Sequence, residues 1–229
     1  MQIGVQCYIF ELKFTTWFYM KNLTNIDFLL FDLGNVIINI DYSFTINELK
    51  NRLPEDKHGL TETFYPAKFH KDYEKGLIDT SQFRNEVKNH FEVDWSNDEI
   101  DFLWNSLLKD IPTERIDLIR NLSGRFQLGV LSNTNELHIQ ALDQILERDF
   151  QIPSLNPLFD HVFYSHDLNL AKPDPAIYEK VIELIGVSPE KILFFDDLKE
   201  NLLGAEQVGY QTYHIDHPKA LIHFFKDVQ

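Results

Sequence analysis

The feature that most constrains the fold is a series of five short apolar runs, the later ones separated by helical patterns. Each run ends in polar residues, which is typical of a buried strand. One helical pattern begins at Pro175 and is followed by Gly186, the usual asymmetry of helix ends. Strands that alternate with helices predict an α/β fold, with a Rossmann-like parallel sheet core and helices on both faces. The predicted strands cover residues 27–33, 126–131, 159–164, 191–195 and 210–215.

The segment 41–110 breaks this alternation, because it contains helical patterns and no convincing strand. Proline and glycine residues divide it into about four helices. We therefore expect an α/β core formed by residues 20–40 and 111–229, with residues 41–110 inserted as an all-helical cap. The dividing residues are Pro54, Gly59, Pro66 and Gly76.

The aromatic-rich residues 1–19 do not have the pattern of a secretory signal, because Glu11 and Lys13 interrupt the apolar stretch. We expect an N-terminal extension outside the core; a strand or helix packed on the domain is the alternative. No apolar run approaches the roughly 18 residues that cross a bilayer. The single cysteine, Cys7, has no partner for an intramolecular disulfide. A reducing, cytoplasmic location is therefore expected.

The charge balance of the chain restricts its partners. Asp and Glu number 36 and Lys and Arg number 21, which gives a formal net charge of −15. Such a surface repels nucleic acids and anionic lipids, so neither nucleic acid nor membrane is an expected partner. Hydrophobic residues make up 44% of the chain, which is the composition of a folded domain rather than a disordered one. A small molecule is the expected ligand.

Polar residues follow the predicted strands at the edge where open α/β sheets bind their ligands. Asp32 follows the first strand, Ser132 the second, Asp196 and Asp197 the fourth, and Lys172 comes shortly after the third. Oxygen ligands suit Mg²⁺, which commonly bridges carboxylates to a substrate phosphate. The sequence therefore predicts a site for a hard cation and a phosphate. Asn133, His166 and Asp167 also follow strand ends.

Four short motifs together resemble the haloacid dehalogenase superfamily, helical-cap subfamily I. They are Asp32-Leu33-Gly34-Asn35-Val36, Ser132, Lys172-Pro173 and Asp196-Asp197. The resemblance covers the chain from Ile26 onward, with residues 41–110 in the place of the cap. The segments FDLGNVI, LSNTN and FFDD are most similar to those of bacterial sugar-phosphate phosphatases, including the α-D-glucose-1-phosphate type. The resemblance implies a Mg²⁺-dependent phosphatase that acts on a small phosphate monoester.

The resemblance also implies a nucleophile and a metal site. Asp32 would attack phosphorus and form an aspartyl-phosphate that water hydrolyses. Asp32, the Gly34 carbonyl and Asp197 would bind Mg²⁺, and Asp196 would act through water or from outside the ligand set. Adjacent acids repel each other without a cation, which favours a metal here. Asn201 is expected to orient Asp197.

Phosphate binding is implied for a second group of residues. Ser132 and the backbone N–H of Asn133 would hold phosphoryl oxygens, together with the loop at Leu33 and Gly34. Lys172 would neutralise both the phosphate and the nucleophile. This positive charge matters because the protein as a whole repels an anionic substrate.

Gly34 departs from the family pattern, since most phosphatases of the superfamily carry a second Asp at this position. General acid–base help is worth about 10²–10⁴ in rate. One hypothesis is a phosphatase whose substrate has a good leaving group, with the proton supplied by water, a substrate hydroxyl or His70. A second is a non-catalytic binding or regulatory module. A third is a dehalogenase, although those relatives do not keep the acid pair Asp196-Asp197.

The insert is expected to close over the site and exclude water. Its segment FYPAKFHKDYEKG lies where relatives contact their substrates. Lys68, His70, Lys71 and Tyr73 are the predicted contacts to sugar hydroxyls or to the phosphate. A solvated helix face is the alternative for these residues.

Overall fold

The computed structural model of the chain describes residues 23–226, so the predicted extension at residues 1–19 lies outside the described residues. Five strands form one parallel sheet in the order β3-β2-β1-β4-β5. The α/β class and all five predicted strands are confirmed. The strands are β1 Phe28–Phe31, β2 Gln127–Ser132, β3 His161–Tyr164, β4 Ile192–Asp196 and β5 Gln211–His214.

Strand β1 lies at the centre of the sheet and is buried on both faces. Leu29 and Phe31 pack into the hydrophobic cluster on one face, and Phe28 and Leu30 pack into the cluster on the other. This explains the continuous apolar run in the sequence, which is usual where helices cover both faces of a parallel sheet. The neighbouring strand has Gly129 opposite Leu30, where a Cβ atom would lie only 2.6 Å from the Phe28 ring.

The helical insert (residues 41–110) contains four α-helices and no strand among its residues. Two of the helices begin with capping boxes, one at Asp79 and one at Ser96. The helices pack around a hydrophobic cluster that includes the fully buried Trp104. The boundaries of the insert at residues 41 and 110 stay a prediction. The helices are α1 Tyr42–Arg52, α2 Lys68–Glu74, α3 Thr80–Phe91 and α4 Asn97–Asn105, with a 3₁₀ segment at Glu55–Thr63.

The remaining helices cover the two faces of the sheet. One face packs against α5 (Thr113–Leu122), α6 (Glu136–Phe150) and α10 (Ala220–Lys226). The other packs against α8 (Pro175–Ile185) and α9 (Lys199–Gln207). A single turn, α7 (Ser165–Leu168), follows β3. Every helix in residues 23–226 falls short of the length and apolar character that a bilayer crossing requires.

Several contacts hold the insert against the core. The connecting segments run antiparallel, with a bridge between Ile40 and Leu108. At the end of α4, the Trp104 indole nitrogen donates to the Asn135 side-chain oxygen at 3.0 Å, and the His138 ring stacks on Trp104 at 4.7 Å. The insert is thus fixed over the edge of the sheet where β1 and β2 end.

Candidate active site

The carboxyl ends of the central strands and the insert enclose a cavity of about 400 Å³. The core contributes Asp32 from the end of β1, Ser132 from the end of β2 and Asp197 from just past β4. The insert contributes His70 and Glu74. The cavity lies where the strand order reverses around β1, which is the usual ligand site of an open α/β sheet. Further lining residues are Gly34, Ile40, Tyr42, Tyr65, Asn133, Lys172, Leu198 and Asn201.

Lys172 lies between two carboxylates at the bottom of this cavity. Its Nζ donates to Asp32 Oδ1 at 2.7 Å and to Asp196 Oδ2 at 2.6 Å, and its side chain is only 1% exposed. Burial raises the pKa of Asp32 to about 7; Asp196 and Asp197 raise it as well, while Lys172 lowers it. One lysine among three clustered carboxylates leaves an excess of negative charge, which a divalent cation would relieve.

The three carboxylates fit a magnesium site. One oxygen from each of Asp32, Asp196 and Asp197 lies within 4.8 Å of the others. Both Asp196 oxygens are already engaged, one by Lys172 and the other by the backbone N–H of Leu198 at 2.8 Å. Asp32 and Asp197 are therefore the better candidates for direct ligands, and Asp196 is better placed to hold Lys172. Carboxylate oxygens in this number suit Mg²⁺.

Two asparagines fix the orientation of the acids. Asn35 Nδ2 donates to Asp197 Oδ2 at 2.9 Å, from a residue with a φ of 56°. Asn201 Nδ2 donates to the Asp196 oxygens at 3.0 and 3.1 Å. The expectation that Asn201 orients Asp197 is therefore wrong, because its amide faces the neighbouring acid. Asn is among the residues that tolerate the left-handed region, which explains its place after Gly34.

The loop after β2 supplies the predicted phosphate-binding groups. Ser132 is buried and lines the cavity. The Asn133 side chain makes two hydrogen bonds of 2.9 Å to the backbone of Lys172, so it positions the lysine, and its own backbone N–H is the group left for an anion. Leu33 and Gly34 line a smaller recess that adjoins the cavity. The structure therefore brings these predicted residues to one place.

Of the four residues predicted from the insert, the structure brings only His70 to the cavity. Lys68 is exposed and pairs with an acid one turn further along α2. Lys71 is exposed as well. Tyr73 is buried in the insert, where its hydroxyl lies 2.9 Å from Thr80 Oγ1. These three side chains face away because packing of α2 against α3 fixes the rotation of the helix.

His166 and Asp167 also lie outside the cavity lining. His166 Nδ1 contacts the Thr134 carbonyl at 3.1 Å, and Asp167 points to solvent. The residues after β3 therefore shape the neighbouring loop, and only Lys172 reaches the site from this part of the chain.

Sequence reasoning missed several residues that line the cavity, chiefly Tyr42, Tyr65 and Glu74. Glu74 has a readable signal, because it lies four residues after His70 and such residues share one face of a helix. The two tyrosines have no comparable signal. Their place depends on how α1 and the 3₁₀ segment fold back over the sheet.

Solved structures of similar proteins share this architecture. A family enzyme from Bacteroides thetaiotaomicron, solved in complex with magnesium and inorganic phosphate, superposes with a TM-score of 0.76 and is 32% identical; the alignment covers 82% of this chain and 93% of that one. A HAD-like family hydrolase from Porphyromonas gingivalis also has a TM-score of 0.76, at 28% identity, with 83% of this chain and 91% of that chain covered.

Proteins with similar sequences include two named phosphatases that match most of this chain. D-ribitol-5-phosphate phosphatase of Bacteroides thetaiotaomicron is 23% identical over 185 residues, which are 81% of this chain and 89% of that protein. Pyrophosphatase PpaX of Bacillus cereus is 24% identical over 192 residues, 82% of each chain. The profile of the haloacid dehalogenase-like hydrolases matches residues 26–209. This match spans strands β1 to β4 together with the insert and ends just before β5, and the chain therefore belongs to the haloacid dehalogenase-like hydrolase family.

Proposed function

We propose that this chain is a Mg²⁺-dependent phosphatase that hydrolyses a small phosphate monoester, a sugar or sugar-alcohol phosphate, through an aspartyl-phosphate on Asp32. The observation that carries the proposal is the contact of Asp32 with the buried Lys172, next to Asp197, at the carboxyl end of the central strand. A carboxylate, a lysine and a cation-binding acid are the groups that phosphoryl transfer needs in one place.

Each residue of the site has a separate role in the proposed reaction. Asp32 attacks phosphorus through its carboxylate, and Lys172 holds this carboxylate in place and neutralises the charge on the transferring group. Ser132 and the backbone N–H of Asn133 donate to the phosphoryl oxygens. Asp32, Asp197 and the Gly34 carbonyl would hold Mg²⁺, which as a Lewis acid would draw charge from the phosphoryl oxygens.

The cavity and the relatives both favour a small ester. A volume of about 400 Å³ suits a compact ligand. Two relatives that match most of this chain are named for the hydrolysis of a sugar-alcohol phosphate and of pyrophosphate. The insert covers the site, which excludes water and strengthens the charge interactions inside.

The test is phosphate release from 4-nitrophenyl phosphate, ribitol 5-phosphate, glucose 1-phosphate and glucose 6-phosphate, with Mg²⁺ and with a chelator. We expect Mg²⁺-dependent release that Asp32→Asn abolishes and that Asp167→Asn leaves intact, because Asp167 lies outside the cavity lining. Release that survives Asp32→Asn would contradict the mechanism. No release from any of the four esters would favour the non-catalytic module that the missing acid at Gly34 also suggests.

A further inference from the structure

The cavity contains one titratable pair that has no role in the steps above, His70 and Glu74 on α2. Their side chains are 11% and 26% exposed, and both line the cavity together with Asp32 and Gly34. His70 Nε2 lies 3.3 Å from Glu74 Oε1. The other acids in the lining, Asp32 and Asp197, are assigned to the phosphoryl group and the cation. Burial raises the pKa of the Tyr42 and Tyr65 phenols in the same lining, so the pair is the better source of a mobile proton.

One hydrogen bond fixes the His70 ring. Nδ1 lies 2.9 Å from the Tyr65 carbonyl oxygen, and because a carbonyl only accepts, Nδ1 carries a hydrogen. The other ring nitrogen, Nε2, faces the Glu74 carboxyl, with Oε1 at 3.3 Å. The pair (the His70–Glu74 dyad) thus presents to the cavity a nitrogen and a carboxyl, and both are groups that can give and take a proton.

The dyad is fixed relative to the phosphate-binding loop. Ser165 Oγ donates to the Glu74 carbonyl at 2.5 Å and accepts from the Thr134 backbone N–H at 2.9 Å. Thr134 comes two residues after Ser132, so one hydroxyl ties the end of α2 to this loop. Gly76 allows the close approach, since with its φ of 64° a Cβ atom would lie 2.1 Å from the carbonyl oxygen that follows Ser165 by one residue.

The dyad and the nucleophile line the same cavity of about 400 Å³, which is small enough to hold an ester on Asp32 beside His70 and Glu74. Gly34, where the family's usual acid would stand, belongs to the same lining.

We infer that the His70–Glu74 dyad is the acid and base of this enzyme, in place of the carboxylate that is missing at Gly34. This inference rests on the proposed phosphatase function. As Asp32 bonds to phosphorus, the ester P–O bond breaks and the leaving oxygen takes a proton from the protonated dyad. The dyad next takes a proton from the water that attacks phosphorus. The bond from Asp32 to phosphorus breaks, and inorganic phosphate leaves with the dyad and the carboxylate restored.

The test compares two esters on Glu74→Gln, which keeps the shape of the side chain and removes the acid. With the sugar phosphate that the wild type hydrolyses fastest, either ribitol 5-phosphate or glucose 6-phosphate, we expect kcat/KM to fall about 10²–10⁴-fold. With 4-nitrophenyl phosphate we expect kcat/KM to fall less than about tenfold, because nitrophenolate leaves without a proton. Nitrophenolate should also appear as a burst of one equivalent followed by slow turnover, since attack by water on the aspartyl-phosphate has lost its base.

Two further variants keep the test decisive. His70→Asn preserves a donor to the Tyr65 carbonyl and removes Nε2, and it should give the same dependence on the ester. Glu86→Gln changes an exposed acid on α3 and should leave kcat/KM unchanged for both esters. Thermal unfolding checks each variant, and His70→Asn carries the comparison should Glu74→Gln unfold.

An equal loss for both esters, or no loss for either, would overturn the inference and leave the proposed function intact. A wild-type protein that hydrolyses neither ester with Mg²⁺ would instead contradict the proposed function itself. The two failures are therefore distinguishable in one set of measurements.

Discussion

Replacement of Lys172 by methionine should destabilise the fold in a way that depends on pH. The Lys172 ammonium contacts Asp32 and Asp196, whose side chains are 11% and 0% exposed. Methionine fills a similar volume, so the change removes the charge and leaves most of the packing. In the absence of Mg²⁺, two buried carboxylates then lose their cationic partner.

The size of the loss depends on how the carboxylates respond to the missing charge. Breaking a buried ion pair commonly costs about 3–5 kcal/mol. Burial raises the pKa of Asp32 to about 7 in the wild type, and loss of Lys172, which lowers this pKa, raises it further. At alkaline pH the folded variant therefore binds a proton that the folded wild type does not, so its stability relative to the wild type recovers as the pH falls toward 7. We expect a loss of about 3–5 kcal/mol at pH 9 and a clearly smaller loss at pH 6, where both folded proteins bind this proton.

The assay is urea unfolding of both proteins at pH 9 and pH 6 with a chelator present. Lys191→Met is the matched control, because Lys191 pairs with Asp27 at 2.7 Å on the surface, where the two side chains are 47% and 53% exposed. This control should show a small loss that does not change with pH. A Lys172→Met loss that is equal at both pH values, or no larger than the loss in the control, would refute the charge argument.

Three further predictions concern other parts of the molecule. Gly204→Ala should lower the thermal unfolding temperature, because the new Cβ would lie 2.3 Å from the carbonyl oxygen of Pro173, the residue after Lys172. This clash should outweigh the gain of about 1 kcal/mol in helix propensity. Burial lowers the pKa of His138 to about 4, so as the pH falls the unfolded chain binds a proton at this residue before the folded protein does. The free energy of unfolding should therefore fall by about 2 kcal/mol between pH 7 and pH 5. Urea titrations of His138→Gln should not show this loss. Gly34→Asp should restore part of the kcat/KM that Glu74→Gln loses on a sugar phosphate, since its Cβ meets only the flexible end of a side chain at 3.0 Å.

Much of the site could be predicted because it depends on strand ends. The carboxyl ends of parallel strands converge, so Asp32, Ser132 and Asp196 had to meet once the strands were identified. Lys172 could be added because it follows the next strand by a short loop. Local sequence therefore determines the part of the site that the sheet builds.

The insert was harder to interpret for a physical reason. Helical spacing shows that His70 and Glu74 share a face, but it does not show which face turns toward the sheet. The rotation of α2 is fixed by distant contacts, among them the bond from Ser165 to the Glu74 carbonyl. Lys68 and Lys71 have the charge to bind a phosphate and are nevertheless on the solvent side. The partner of Asn201 was missed for a similar reason, since adjacent acids point in different directions.

The most direct test of the central claim is to find the residue that carries the phosphoryl group during turnover. The wild-type protein is mixed with Mg²⁺ and 4-nitrophenyl phosphate, quenched in acid within the first turnover and mapped by peptide mass spectrometry. We predict one phosphoryl group on the peptide that contains Asp32, labile to hydroxylamine and absent from Asp32→Asn. A phosphoryl group on another residue, or turnover by Asp32→Asn, would contradict the account.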